Sequence, residues 1–131
     1  MCKNYSSATG SSVKLQVEKQ LLSEIELGHY MVTETRPLIV SALGAIPKPD
    51  SKELRLIHDC SRPLGNSVNT FAEPQSFQFN TIDTACSYIH KGYHMAKIDL
   101  KAAYRSVGIN PDHYPLTGLC WTFQGDVNPH I

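Results

Sequence analysis

Apolar residues recur at helical spacing in the run SVKLQVEKQLLSEIELG, where Val17, Leu21 and Ile25 share one face with Leu22 beside them. Gly28 supplies a C-terminal stop, so the pattern predicts an amphipathic helix from about Ser12. The Ser-rich start, 1–12, is expected to fray. The period then changes. Two apolar segments, Leu38–Pro47 and Leu54–Cys60, flank KPDSKE, whose Pro, Asp and Ser mark a turn. Together they predict a β-hairpin with a loop longer than the tightest turns. Alternation in its second strand puts Arg55, Ile57 and Asp59 on one face, and Leu54, Leu56 and His58 on the other. Arg55 should therefore point away from whatever Leu54 and Leu56 pack against.

The next stretch, SRPLGNSVNTFAEPQSFQFN, is punctuated by Pro, Gly and Asn and reads as a long connection. Such length in a compact domain points to a segment that wraps or contacts something. TIDTACSYIHKG predicts a short helix with Thr81 as N-cap, Ile82, Cys86 and Ile89 as the buried stripe, and Gly92 as the stop. Strand patterns return at Tyr93–Asp99 and near Leu116–Phe123. The order is that of an α+β protein whose central strand ends on Asp99. A carboxylate at a strand's C-terminal end sits on a rim where ligands bind, but an Asp there is also a frequent helix cap, and by itself this one reads as a cap.

Composition narrows the class. Of the 131 residues, 41% are hydrophobic and 18% charged, the profile of one globular domain. Twelve basic residues balance twelve acidic ones, which counts against a dedicated nucleic-acid binder. Locally, Lys91, Lys97, Lys101 and Arg105 surround the single acid Asp99. That could serve phosphate, although scattered cations are more often solvated surface. The four cysteines form no CxxC pair. They read as reduced, mostly buried thiols of an intracellular protein. No apolar run reaches the roughly 20 residues of a membrane span, and the opening lacks the apolar core of a secretory leader. Two other constellations are weak. His90 and His94 have half a zinc spacing with Gly92 between them. His58, Asp59 and Cys60 are strand neighbours facing opposite ways, which does not suit a nucleophile and its base.

The stretch AKIDLKAAYRSVGINPDHYPLTGLCW resembles the first catalytic motif of retroelement reverse transcriptases, an apolar strand, Asp, an apolar residue, small residues and an aromatic. Upstream, VSALGAIPKPDSKELRLIHDCSRPLGNSVN is similar to the fingers hairpin of the same enzymes, with its lysine tip, Arg-x-x-x-Asp and asparagine-ended loop. The wording of RLIHD, SVN and LTG is closest to the retrotransposons that encode a tyrosine recombinase. The resemblance runs from about Val17 to Gly125. It implies an incomplete fingers and palm portion of a right-hand polymerase fold: a frayed start at 1–12, fingers-like residues 13–92, the first of the palm at 93–125, and an unmatched tail at 126–131.

By the same resemblance, Asp99 matches the metal-binding aspartate and the Leu100 carbonyl a supplementary ligand for Mg2+ or Mn2+. Hard cations that bridge a hydroxyl and a triphosphate want such oxygens. Tyr104 matches the aromatic under the incoming sugar, which leaves no room for a 2′-hydroxyl. Ala102 and Ala103 match positions whose N–H groups reach the triphosphate. Lys48 and Arg55 match the two cations that clamp it, a point charge and a planar fork. Arg62 and Asn69 resemble template-strand contacts. Asp59 is expected to brace a neighbouring arginine or backbone.

The sequence contains no Asp-Asp, so the family's Tyr-x-Asp-Asp hairpin is missing, and Asp126 in its Pro-flanked tail does not replace it. Two functions from different classes follow. One is a portion of an RNA-directed DNA polymerase, inactive by itself, whose parent uses template-primer and deoxynucleotide triphosphates. The other is a non-catalytic module that binds single-stranded nucleic acid or a protein partner. An incomplete palm is also expected to expose a strand edge and apolar surface near Tyr93–Asp99 or Leu116–Phe123, a route to self-association.

Overall fold

The computed structural model describes residues 3–100, 103–105, 107–124 and 131. The chain forms two compact units, Met1–Ala72 with Gly108–Ile131, and Glu73–Val107. The divisions fall at 72/73 and 107/108, and the residues after 107 include β3, which pairs with β1 of the hairpin. Residues 126–130 of the expected tail lie outside the described residues.

In the larger unit, α1 spans Ser6–Thr9 and α2 spans Lys14–Glu26. Strands β1, Val40–Pro47, and β2, Leu54–Asp59, form the hairpin. A short helix α3, Val68–Phe71, follows, and β3 is the two-residue strand Gly118–Leu119. β1 is central in the order β2-β1-β3. It runs antiparallel to β2 from Ala42 opposite Asp59 to Pro47 opposite Leu54. It is parallel to β3, with Val40 opposite Gly118. The hairpin and α2 form where the periodicity puts them. Gly28, just past α2, takes φ +74°, a conformation glycine adopts without a steric penalty. Gly118 is needed for another reason, since a Cβ there would collide with the Pro37 ring.

The core lies between α2 and one face of the sheet. Val17 and Leu21 meet Leu43 and Ala45 of β1, Leu54 and Leu56 of β2, and Leu119 and Trp121. Fully burying one such aliphatic side chain contributes about 1.5–3 kcal/mol. Leu22 stays exposed, so α2 buries a narrower stripe than its sequence allows. Glu18 is also buried, and its Oε1 accepts the Gln124 N–H at 3.1 Å.

The start of the chain differs from the expectation of a frayed segment. β3 covers β1 only at Val40 and Ser41, leaving main-chain groups farther along that edge in need of partners. The N-terminal residues supply them. Asn4 Oδ1 accepts from Leu43 N at 2.9 Å and its Nδ2 donates to the Cys120 carbonyl at 2.7 Å. Tyr5 N donates to the Leu43 carbonyl at 2.9 Å, and Ser7 Oγ accepts from Ala45 N at 3.3 Å. Ala8 is fully buried.

The smaller unit holds α4, Ile82–Ser87, and a 3₁₀ turn at Ala103–Arg105. Thr81 caps α4 as expected, its hydroxyl accepting from Thr84 N at 3.2 Å. The expected buried stripe does not form, since Ile82, Cys86 and Ile89 are all exposed. The strand expected over Tyr93–Asp99 is also absent. A strand exists only as one side of a hydrogen-bonded pair, and no described segment pairs with this one. The central strand is thus β1, not one ending on Asp99. Near Leu116–Phe123, β3 is a terminal strand of the sheet, and its Leu119 exchanges hydrogen bonds of 2.7 and 2.9 Å with Ile131. At the other side of the sheet, β2 is the second terminal strand.

Candidate nucleic-acid interface

β2 delivers the first cation. Its buried residues Leu54 and Leu56 alternate with exposed Arg55, which lies opposite Ile46 on the outward face. Among the described residues Arg55 has no ion pair. Lys48 follows β1 at the mouth of the hairpin. Its N–H donates to the Glu53 carbonyl at 3.0 Å and its Nζ reaches Glu53 Oε2 at 2.5 Å. The stiff Pro47-Lys48-Pro49 run therefore presents a lysine already paired within its own hairpin. That pair is solvent-exposed and contributes on the order of 0–1 kcal/mol.

Arg62 and Asn69 meet around one turn. Ser61 N donates to Asp59 Oδ1 at 2.9 Å and Arg62 N to the Asp59 carbonyl at 3.1 Å. Asn69, on α3, donates from Nδ2 to Ser61 Oγ at 2.9 Å and from its N–H to the Cys60 carbonyl at 2.9 Å. α3 holds its place through a reciprocal cap between Ser67 and Thr70. Its Val68 and Phe71 line an open groove of about 560 Å³ with Leu38, Ile39 and Leu116, where Asn66 and His113 are the polar side chains.

Asp59 braces the turn, as expected, but it also accepts the Tyr5 hydroxyl at 2.5 Å. That bond, then the Ser61 N–H, holds its carboxyl below the usual range, with the charges of Arg62 and His58 adding to the effect. The same bond, then burial and the Asp59 charge, pushes the Tyr5 phenol up, against a hydrogen bond from the Arg62 side chain and its charge. Burial, and then the Asp59 charge, raises the Cys60 thiol. Tyr5 is the residue that sequence reasoning missed. Nothing in KNYSSAT marks it, because its partner lies 54 positions away.

The palm-like residues belong to the smaller unit. Asp99 and Leu100 are exposed in a stretch without secondary structure. Ala103 and Tyr104 are in the 3₁₀ turn, and Tyr104 is 98% exposed. Ala102 lies outside the described residues. Among the described residues no three His, Cys, Asp or Glu side chains gather as metal ligands. One carboxylate and one carbonyl would leave most of the shell of Mg2+ or Mn2+ to water and to the phosphates of a bound nucleotide. Elsewhere in this unit, Phe77 packs edge-on to Phe79 at 4.8 Å, and His90 to Tyr93 at 5.2 Å. No helix among the described residues is long and apolar enough to cross a membrane.

No family model, curated protein or solved structure matches the chain.

Proposed function

We propose that this chain is the fingers and first palm portion of a retrotransposon reverse transcriptase, whose complete enzyme copies RNA into DNA by two-metal nucleotidyl transfer. The hairpin carries the reading. Arg55 leaves β2 on the face opposite Leu54 and Leu56, with Lys48 at the hairpin mouth, and this pairing supports the two-cation clamp that the resemblance implies. A triphosphate would compete for Lys48 with Glu53, an exposed partner that holds it weakly. In the same reading Asp99 and the Leu100 carbonyl belong to the metal site of the complete enzyme. Tyr104 tests the sugar, and the N–H groups of Ala102 and Ala103 meet the triphosphate. Arg62 and Asn69 touch the template strand.

These 131 residues are not expected to polymerise nucleotides by themselves, since the second acidic pair is not among them. Reading the genomic DNA beyond codon 125 in every frame tests the assignment. A Tyr-x-Asp-Asp hairpin and a thumb are expected there; unrelated sequence would remove the intact polymerase parent.

Exposed aromatic rings favour a second reading, a non-catalytic module that binds single-stranded nucleic acid. Phe77, Phe79, Tyr88 and Tyr104 all present their rings to solvent, and bases stack on such surfaces. Filter binding at low salt tests it. The wild type should retain an oligonucleotide that Lys48→Ala/Arg55→Ala releases; equal failure of both would end this version.

A further inference from the structure

The lysine at the hairpin mouth carries a counter-ion of its own. Lys48 N donates to the Glu53 carbonyl at 3.0 Å, which continues the β1–β2 ladder one step beyond Pro47 and Leu54. On that step the side chains meet as well, Lys48 Nζ to Glu53 Oε2 at 2.5 Å. The loop between the two residues is held from two directions. Glu53 N donates to Ser51 Oγ at 2.9 Å, and the Lys52 carbonyl accepts from Gln16 Nε2 of α2 at 2.6 Å. None of these loop and ladder bonds uses the Glu53 carboxylate. The ion pair can therefore open while the hairpin keeps its shape.

Arg55 lies opposite Ile46, two positions before Lys48, so Lys48 and Arg55 are diagonal neighbours roughly 7–8 Å apart across the ladder. A carboxylate brings one charge to the Lys48 corner. A triphosphate brings several linked anionic oxygens and can span the diagonal. Glu53 is also the more exposed partner, its side chain 71% accessible against 42% for Lys48. Water takes up the carboxylate once it leaves, so opening the pair costs little. We propose that Glu53 is the resting counter-ion of the clamp: it occupies Lys48 until a triphosphate displaces it, and thereby sets how tightly the hairpin holds its ligand. This is regulation of the site formed by Lys48 and Arg55, and it rests on the reading of those two cations as a triphosphate clamp. One ion pair is exchanged for another, with no covalent change.

The test titrates inorganic tripolyphosphate into the whole chain at low salt without divalent metal. Calorimetry reads affinity, and NMR follows the Glu53 carboxyl carbon. Wild type is compared with Glu53→Gln, Lys48→Ala and Lys48→Ala/Glu53→Gln, all at exposed positions where folding should persist. Glu53→Gln should bind about two- to fivefold more tightly than wild type, the range that losing an exposed ion pair allows. That gain should shrink as salt screens the charges. In the Lys48→Ala background the same substitution should gain distinctly less, because only general repulsion remains to be removed. At saturation the wild-type Glu53 resonance should reach the position it has in ligand-free Lys48→Ala. If Lys48→Ala weakens binding while Glu53→Gln matches wild type and the Glu53 resonance stays still, the counter-ion role alone is overturned. Equal gains in both backgrounds would reduce Glu53 to a repelling charge and overturn it too. If no form binds, or Lys48→Ala binds as wild type does, the clamp reading itself fails, and the role of Glu53 falls with it.

Discussion

Two side chains near the start of the chain, Asn4 and Tyr5, make long-range hydrogen bonds to the sheet region. The Tyr5–Asp59 bond gives stability a defined pH window. Asp59 titrates below its unfolded value, about 3.9, so its contribution is whole above that pH and lost as acid carries the pH through the lower folded value. Tyr5 titrates above its unfolded value, about 10, so its contribution is whole below that pH and lost as the pH rises through the higher folded value. The difference in Tm between wild type and Tyr5→Phe should therefore be level from about pH 5 to 9 and close at both extremes. A difference that is flat across the whole range would show that the bond adds no stability. Asn4 acts differently, since it satisfies Leu43 N and the Cys120 carbonyl at once. Asn4→Ala leaves both part-buried groups without these partners and should cost about 2 kcal/mol in urea unfolding.

Within α2 the energetic asymmetry between adjacent leucines reports which face meets the sheet. Leu21 is fully buried against the hairpin, whereas Leu22 is 47% exposed. Leu21→Ala should lose about 2–5 kcal/mol and Leu22→Ala less than about 1. Equal losses would mean that the helix is rotated from the arrangement described. The hairpin shows the same logic at strand period. Leu54 and Leu56 anchor β2 inward, which leaves Arg55 exposed on the outward face opposite Ile46. α4 carries the corresponding pattern of Ile82, Cys86 and Ile89 without a surface to bury it. Its cap at Thr81 forms nonetheless, because a cap needs only the next turn of backbone.

The two units contrast in what they bury. Met1–Ala72 with Gly108–Ile131 contains the sheet and the core, whereas Glu73–Val107 has a six-residue helix and no buried residue among those described. Segments with few buried apolar contacts open at low free-energy cost. Limited proteolysis should accordingly cut within Glu73–Val107 well before it cuts the hairpin or α2. A hydrophobic dye should also respond to the native protein, since Met95, Ile98 and Leu100 expose large apolar side chains. Native protein that is silent to the dye and resists cleavage there would show that this unit is covered.

The sequence by itself determined what depends on near neighbours. The 3.6-residue stripe set α2, alternation set the outward face of Arg55, and hydroxyl chemistry set the Thr81 cap, since each is decided within a few positions. It also supplied the resemblance and the residues that carry it, from Lys48 to Tyr104. Tertiary structure decided what needs a distant partner. The Tyr93–Asp99 run has strand-like composition but no described segment to pair with, and composition cannot furnish the other half of a ladder. The Ser-rich start lacks periodicity, yet Asn4, Tyr5 and Ser7 fold onto β1 because its edge beyond β3 has main-chain groups to satisfy. For the same reason the Tyr5–Asp59 bond was legible only once the two ends of that contact were brought together in space.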